Sequence, residues 1–181
     1  LAAVQLLQEQ RYVITEEQIR TGLARTRWPG RLEYFRLNNQ GEIVDSHANG
    51  LQFLLDGAHN PAGVTALKHA LEDEFSYARL ILVWGSMADK DLQATLQEIA
   101  PLADTIIFTR PEYERSATAD QLRNTLPDAM QQKAVPTSSV RQAIDKAREL
   151  ATPDDLICIA GSLYLIGAAR QLLVGELITD G

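Results

Sequence analysis

The chain has 181 residues, which fits one domain, or one domain plus a piece of another. Hydrophobic residues make up 45% of it, close to the globular average, which argues against a disordered chain. The formal charge of −7, from 17 basic and 24 acidic residues, argues against nucleic acid as the main partner, since phosphate-backbone binding needs a basic surface. A small anion such as a nucleotide is still compatible, because it needs only a few local donors.

The cysteine content and the amino terminus indicate the compartment. Cys158 is the only cysteine, which excludes an internal disulfide or a cysteine-based metal cluster and favours a reducing cytoplasm. No apolar run approaches the ~20 residues of a membrane span, and residues 1–10 lack the pattern of a signal peptide. The chain does not begin with Met, so we expect a fragment or a processed protein.

The first 26 residues predict two helices. Apolar residues at 1, 4, 6 and 7 are typical of an amphipathic helix over 1–10. Thr15 and Gln18 have the spacing of a capping box, which predicts a second helix over 16–25. Pro29 and Gly30 then interrupt the helical pattern.

Strands and helices alternate through the rest of the chain. The predicted strands are 31–37, 51–56, 79–85, 104–109, 133–136 and 155–161, and the predicted helices are 61–75, 91–100, 118–126, 138–151 and 162–173. This alternation, with near-continuous apolar strands, predicts an α/β fold: a doubly wound, mostly parallel sheet with helices on both faces, from about residue 27 to the end. The first two strands form a hairpin-like pair, so we expect this pair to add an antiparallel edge strand to the sheet.

The candidate site lies in the loops that follow the strands, because ligands of open α/β sheets bind beyond the carboxyl ends of the strands. These loops are 56–60, 85–91, 109–110 and 161–162. Gly-Ser occurs twice in them, and three of the four carry charged residues. This clustering favours a functional site at the carboxyl edge.

In the first of these loops, helix-start rules explain part of the sequence. Asn60 is a favoured N-cap, Pro61 suits the first helical position, and Gly57 allows a tight turn. Asp56 either holds the loop through backbone amides or faces a ligand. His59 is either a hydrogen-bonded turn residue or a catalytic group.

The other candidates also have two explanations. Ser162 is a natural N-cap, and a helix start also suits a bound anion. Asp89, Lys90 and Asp91 can be a helix-start charge cluster. Arg31, after Pro29-Gly30, is either a surface arginine or a clamp for a phosphate.

Several common motifs are absent from the 181 residues. They contain no GxxxxGK[ST] P-loop, no GxGxxG, no HExxH and no Gly-x-Ser-x-Gly. The sequence therefore gives little support to an autonomous NTPase or dehydrogenase.

Four segments resemble, in order and approximate spacing, the folylpolyglutamate synthase/dihydrofolate synthase family of the Mur ligase superfamily. They are WPGRLEYF (28–35), LLDGAHNPAGVTAL (54–67), GSMADKD (85–91) and GSLYLIG (161–167). The combination of PGRLE with DGAHNP is quite specific, and the resemblance covers most of the chain. It implies that 1–26 is the helical tail of a central ATPase domain and that 27–181 is a Rossmann-like, C-terminal glutamate-ligase domain.

The resemblance implies an ATP-dependent amide ligase that adds L-glutamate to dihydropteroate or a folate through an acyl phosphate, in folate biosynthesis and polyglutamylation. Its cofactors would be ATP and Mg²⁺. The P-loop and the Mg²⁺ ligands would belong to the family's N-terminal ATPase domain. We therefore expect the 181-residue chain alone to be inactive.

The resemblance also implies roles for individual residues. Arg31 would reach the ATP phosphates, and Asp56 would face the nucleotide at its ribose. His59 would face both the nucleotide and the incoming glutamate, and Arg31 and His59 are the candidate catalytic residues. Ser162 would lie near the glutamate. Asn60, Asp89, Lys90 and Asp91 are expected only to line the cleft, without an assigned role.

Two alternatives remain open at this point. One is another Mur-type ligase from peptidoglycan precursor synthesis, although residues 106–122 lack the Asp-Asn-Pro-Arg motif that some of those enzymes carry. The other is a non-catalytic α/β interaction module. The sequence does not decide between dihydrofolate synthesis, polyglutamylation or both.

Overall fold

A computed structural model describes residues 2–45 and 47–175. The strands are β1 Glu33–Leu37, β2 Ile43–Val44, β3 Leu51–Asp56, β4 Leu80–Trp84, β5 Thr105–Phe108, β6 Ala134–Pro136 and β7 Leu156–Ala160. The α-helices are α1 Ala2–Glu9, α2 Glu16–Arg25, α3 Pro61–Asp73, α4 Leu92–Ile99, α5 Ala119–Thr125, α6 Asp128–Gln131, α7 Val140–Leu150 and α8 Leu163–Val174; a 3-10 turn, Ala100–Leu102, follows α4.

The predicted helices and strands are confirmed with small changes at their ends. Helix α2 has the predicted bounds, and both capping-box bonds between Thr15 and Gln18 are formed. Two short elements, β2 and α6, escaped prediction, since two and four residues are too few to show a period.

The seven strands form one sheet in the order β2-β1-β3-β7-β4-β5-β6. Strands β3, β7, β4, β5 and β6 are parallel, whereas β1 pairs antiparallel with both β2 and β3. The prediction that the first strand pair adds an antiparallel edge to the sheet is therefore confirmed, and the short strand β2 lies outermost at this edge. β2 takes that edge, because the turn after β1 folds Ile43 and Val44 back onto Leu37 and Arg36.

Helices cover both faces of the sheet, as predicted. On one face, Leu54 and Leu82 pack with buried residues of α3, α4 and α5. On the other face, Phe53 and Val83 pack with buried residues of α7 and α8. Because both faces are buried, every residue of β4 and β7 is buried, which explains their near-continuous apolar sequences.

The sheet order positions the candidate loops. β7 lies between β3 and β4 and is parallel to both, so the loops after these three strands leave the same edge of the sheet. Helices α1 and α2, by contrast, contain no buried residue. Among the described residues, no helix is both long and apolar enough to cross a bilayer.

Candidate functional site

Two neighbouring cavities open at this carboxyl edge. The first has a volume of about 350 Å³ and lies between the turn at 28–32, the loop at 56–60 and the first turns of α3. The second has a volume of about 210 Å³ and lies between the loop at 87–90, Arg115 and the start of α8. His59 and Leu163 line both cavities, so they form the wall between them.

Asp56 lines the first cavity and also holds its two loops together. Its side chain is buried, with 9% exposure. Oδ1 accepts the Ala58 N–H at 2.8 Å and Oδ2 accepts the Leu32 N–H at 2.9 Å. Asp56 therefore holds the loop through backbone amides, as one of its two explanations predicts. Each of its oxygens also retains a second lone pair that could accept a hydrogen bond from a ligand.

His59 has a defined tautomer. Its Nδ1 lies 2.7 Å from the carbonyl oxygen of Gly57. Since a carbonyl only accepts hydrogen bonds, Nδ1 carries the proton and donates it. In the neutral ring, Nε2 then carries no proton and is an acceptor. A histidine that takes a proton from a ligand needs such a free ring nitrogen.

Arg31 lies in a turn with unusual backbone angles. Its neighbours Gly30 and Leu32 both have positive φ, +73° and +43°. The Arg31 side chain is exposed, and its guanidinium carbon lies 5.7 Å from the centre of the Trp28 ring. An exposed cation beside an exposed aromatic ring therefore borders the first cavity.

Two predicted residues are helix N-caps. Asn60 Oδ1 accepts the Gly63 N–H at 2.8 Å and begins α3 at the first cavity. Ser162 Oγ accepts the Leu165 N–H at 3.1 Å and begins α8 at the second cavity, where it is 3% exposed. Both residues therefore have the capping role that helix-start rules predict, and both also line a cavity.

The charged loop before α4 divides into two parts. Asp91 is the N-cap of α4, with Oδ1 accepting the Ala94 N–H at 2.9 Å, and it lines neither cavity. Asp89 and Lys90 are exposed and line the second cavity. An ion pair of 3.5 Å joins Asp89 to Arg115.

Sequence reasoning missed three residues beside the second cavity. Arg115 lies over the ring of Tyr113, and the Tyr113 and Tyr164 rings stack with their centres 4.1 Å apart. The pKa of Tyr113 is lowered, chiefly by a hydrogen bond with Tyr164 and next by a hydrogen bond with Arg115. Tyr113 and Arg115 could have been found from the sequence, because segment 110–117 follows β5, a parallel strand that ends at the same edge of the sheet.

A resident metal ion needs several side-chain ligands close together. Within 2–45 and 47–175, no group of three or more His, Cys, Asp or Glu side chains can hold one. These residues therefore offer no cage of protein side chains for a resident Mg²⁺.

A family model and a relative of known name agree on the family to which this chain is similar. A family model described as "Mur ligase, glutamate ligase domain" matches residues 31–163. A probable bifunctional folylpolyglutamate synthase/dihydropteroate synthase of Haloferax volcanii is 34% identical over 172 residues, which cover 93% of this chain and 18% of that protein.

Solved structures show the same likeness. A Mycobacterium tuberculosis folylpolyglutamate synthase complexed with ADP has a TM-score of 0.77 and 28% identity, over 90% of this chain and 36% of that one. A bifunctional folylpolyglutamate synthase/dihydrofolate synthase with Mn, AMPPNP and L-glutamate bound has a TM-score of 0.76 and 26% identity, over 94% of this chain and 38% of that one.

The chain thus spans less than two fifths of each of these three proteins. The matched family region contains Arg31, Asp56, His59 and Ser162, together with every strand of the sheet. This chain belongs to the Mur ligase family and contains its glutamate ligase domain.

Proposed function

We propose that this chain is the glutamate-ligase part of a cytoplasmic, ATP-dependent enzyme that joins L-glutamate to dihydropteroate or a folate. The observation that carries the proposal is the pair of cavities that share His59 and Leu163, one bordered by a cation and an aromatic ring, the other by charges of both signs. Two substrates that react with each other need adjoining sites. The buried free thiol of Cys158 supports the cytoplasmic location.

The reaction joins a carboxylate to an amine. A carboxylate is a poor acyl donor, so the γ-phosphoryl group of ATP is first transferred to one of its oxygens, which yields an acyl phosphate and ADP. The glutamate nitrogen then attacks the acyl carbon, a C–N bond forms, and the C–O bond breaks with phosphate as the leaving group. The proton lost by the nitrogen goes to His59 Nε2, to phosphate or to water.

The first cavity suits a nucleotide. Arg31 offers a planar, permanently charged group to phosphate oxygens, which is the geometry that arginine binds best. Asp56 has unused lone pairs for a ribose hydroxyl, since each of its oxygens accepts one amide. The related M. tuberculosis structure is complexed with ADP, which supports this assignment.

The second cavity suits glutamate. Lys90 and Arg115 are cationic and Asp89 is anionic, which matches two carboxylates and one ammonium group. Ser162 also borders this cavity. A related structure with L-glutamate bound supports the assignment.

We further propose that 27–181 works with an ATPase domain, of which 1–26 is the helical tail. Support comes from the absence of buried residues in α1 and α2 and from the family match, which begins at residue 31. Mg²⁺, when bound, would neutralise phosphate charge. Because the described residues contain no cluster of three or more metal-binding side chains, we assign its ligands to the ATPase domain.

The test uses the whole protein with dihydropteroate and folate as acceptors. Arg31→Ala and His59→Ala should each lower glutamate-dependent ADP formation by about a hundredfold or more, because each removes a group that acts on the reacting atoms. Arg141→Ala, at an exposed position of α7, is the matched control and should retain activity.

Unfolding midpoints of the three variants should stay close to the wild-type value. Full turnover by a folded Arg31→Ala, His59→Ala double variant would refute the catalytic roles of these two residues. Absence of glutamate-dependent turnover in the whole wild-type protein would refute the ligase function and favour a non-catalytic module. The 181-residue chain alone should form no ADP, since it contains no P-loop. Glutamate-dependent turnover by the pure chain would contradict that expectation.

A further inference from the structure

One face of α8 supports both loops of the first cavity. Leu163, Ile166 and Arg170 are spaced by three and four residues, so they lie on the same side of the helix. A Cβ on Gly57 would lie 2.6 Å from Leu163 Cδ2, and a Cβ on Gly30 would lie 2.6 Å from Ile166 Cγ2. The two loops therefore rest directly on this helix face.

The third residue of this face makes an ion pair. Arg170 Nε donates to both carboxylate oxygens of Glu33, at 3.0 and 3.2 Å. Glu33 Oε2 also accepts the Gly30 N–H at 2.7 Å. The two side chains are largely buried, at 19% and 21% exposure, and neither residue lines the first or the second cavity. Helix α8 is thus linked through Glu33 to the backbone on the amino side of Arg31.

The turn around Arg31 needs such support. Leu32 has φ +43°, a conformation that costs free energy in any residue with a side chain and persists only where the surroundings hold it. The Leu32 N–H is held by Asp56, and the Gly30 carbonyl accepts the Gly57 N–H at 2.8 Å. The Arg31 N–H donates to the Trp28 carbonyl at 3.1 Å within the turn, and Glu33, held by Arg170, adds a restraint on the Gly30 N–H.

We propose that Glu33 and Arg170 are positioning residues: they hold the 28–32 turn so that the Arg31 guanidinium stays at the first cavity. This inference rests on the proposed function for the nucleotide role of Arg31. It deepens that function by assigning the orientation of Arg31 to a helix that also presents Ser162 to the second cavity.

The first experiment measures the turn itself in the whole protein, by amide hydrogen exchange. Arg170→Met keeps most of the apolar stem but removes the charge, and it should increase exchange at the Gly30, Leu32 and Gly57 amides. Arg170→Lys keeps a charge but offers one point donor in place of the guanidinium, and it should restore protection in part. Arg141→Met on α7 is the matched control and should leave exchange unchanged. Unchanged exchange in a folded Arg170→Met variant overturns the inference, whatever the protein binds.

The second experiment tests coupling to Arg31 by a double-mutant cycle on ADP affinity. Arg31→Ala should weaken ADP binding by about tenfold to a hundredfold, and Arg170→Met by about tenfold. If Arg170 acts through Arg31, the double variant should bind ADP no more weakly than Arg31→Ala alone. The ATP KM should rise in Arg170→Met while the glutamate KM stays constant.

The outcomes are distinguishable. Additive losses in the double variant overturn the positioning role, because they show that Arg170 does not act through Arg31. Normal ADP binding by Arg31→Ala overturns the nucleotide role of Arg31, and with it that part of the proposed function, even if exchange in Arg170→Met rises as expected.

Discussion

Asp56 has a structural role and a place in the candidate site at the same time. Both of its oxygens accept backbone amides, one in its own loop and one in the turn of Arg31. The neighbouring residues Gly57, Asn60 and Pro61 account for a turn between a strand and a helix without the aspartate. The contact with Leu32, 24 residues away in sequence, is what makes Asp56 shape the first cavity.

Asp56→Asn should therefore destabilise the protein. An asparagine has one acceptor oxygen, so its amide group would face one of the two backbone N–H donors. We expect the free energy of unfolding to fall by about 1–3 kcal/mol, measured by denaturant titration. Asn60→Asp, which keeps the N-cap acceptor, should change it by less than about 0.5 kcal/mol. Equal stability of Asp56→Asn and wild type would contradict this assignment.

At the scale of elements, an ion pair between a half-exposed arginine and a buried carboxylate joins the starts of two strands at the opposite edge of the sheet. Asp155, just before β7, is 1% exposed and accepts hydrogen bonds from Arg79, just before β4, and from Thr152. The hydrogen bonds from Arg79 are the largest cause that lowers the pKa of Asp155, from 3.8 to about 2. The pair fixes β7 beside β4 and so holds Ser162 at the same edge as Lys90.

This pair predicts an acid-dependent stability. A lowered carboxyl pKa stabilises the folded state fully above the unfolded value of 3.8, and the contribution is lost as the pH falls through about 2. The denaturant midpoint of wild type should therefore fall between pH 4 and pH 2 more steeply than that of Arg79→Met. Lys146→Met removes an exposed helix pair with Glu149 and should keep the wild-type slope. Equal slopes in wild type and Arg79→Met would show that Asp155 is not stabilised by Arg79.

At the scale of the whole molecule, the first two helices stand apart from the packed layers. Neither α1 nor α2 contains a buried residue, whereas α3, α4, α5, α7 and α8 each bury at least one apolar side chain. A segment that contributes no fully buried side chain to a domain adds little to the stability of that domain.

Deletion of residues 1–26 should therefore leave the α/β part intact. In the 181-residue chain, we expect thermal unfolding followed by circular dichroism to shift by less than about 2 °C. As a matched comparison, Leu165→Ala in α8 creates a cavity in the core and should lower the midpoint clearly. A fall of more than about 5 °C on deletion would show that the helices belong to the α/β unit.

The sequence by itself determined the succession of helices and strands, the α/β class and the loops that contain the candidate site. These features are encoded locally: apolar periodicity, N-caps such as Thr15 and Asn60, and strand ends all involve residues a few positions apart. Strand β2 and helix α6 were missed because they are too short to show such a pattern.

Only the tertiary structure decided which loops meet. It placed β7 between β3 and β4, brought Arg115 beside Asp89, and joined Glu33 to Arg170 across 137 residues of sequence. Such contacts depend on how the layers pack and on which strands become neighbours, and no local pattern of residues carries that information. The wall that His59 shares with Leu163 has the same origin, since it exists only once β3 and β7 pair.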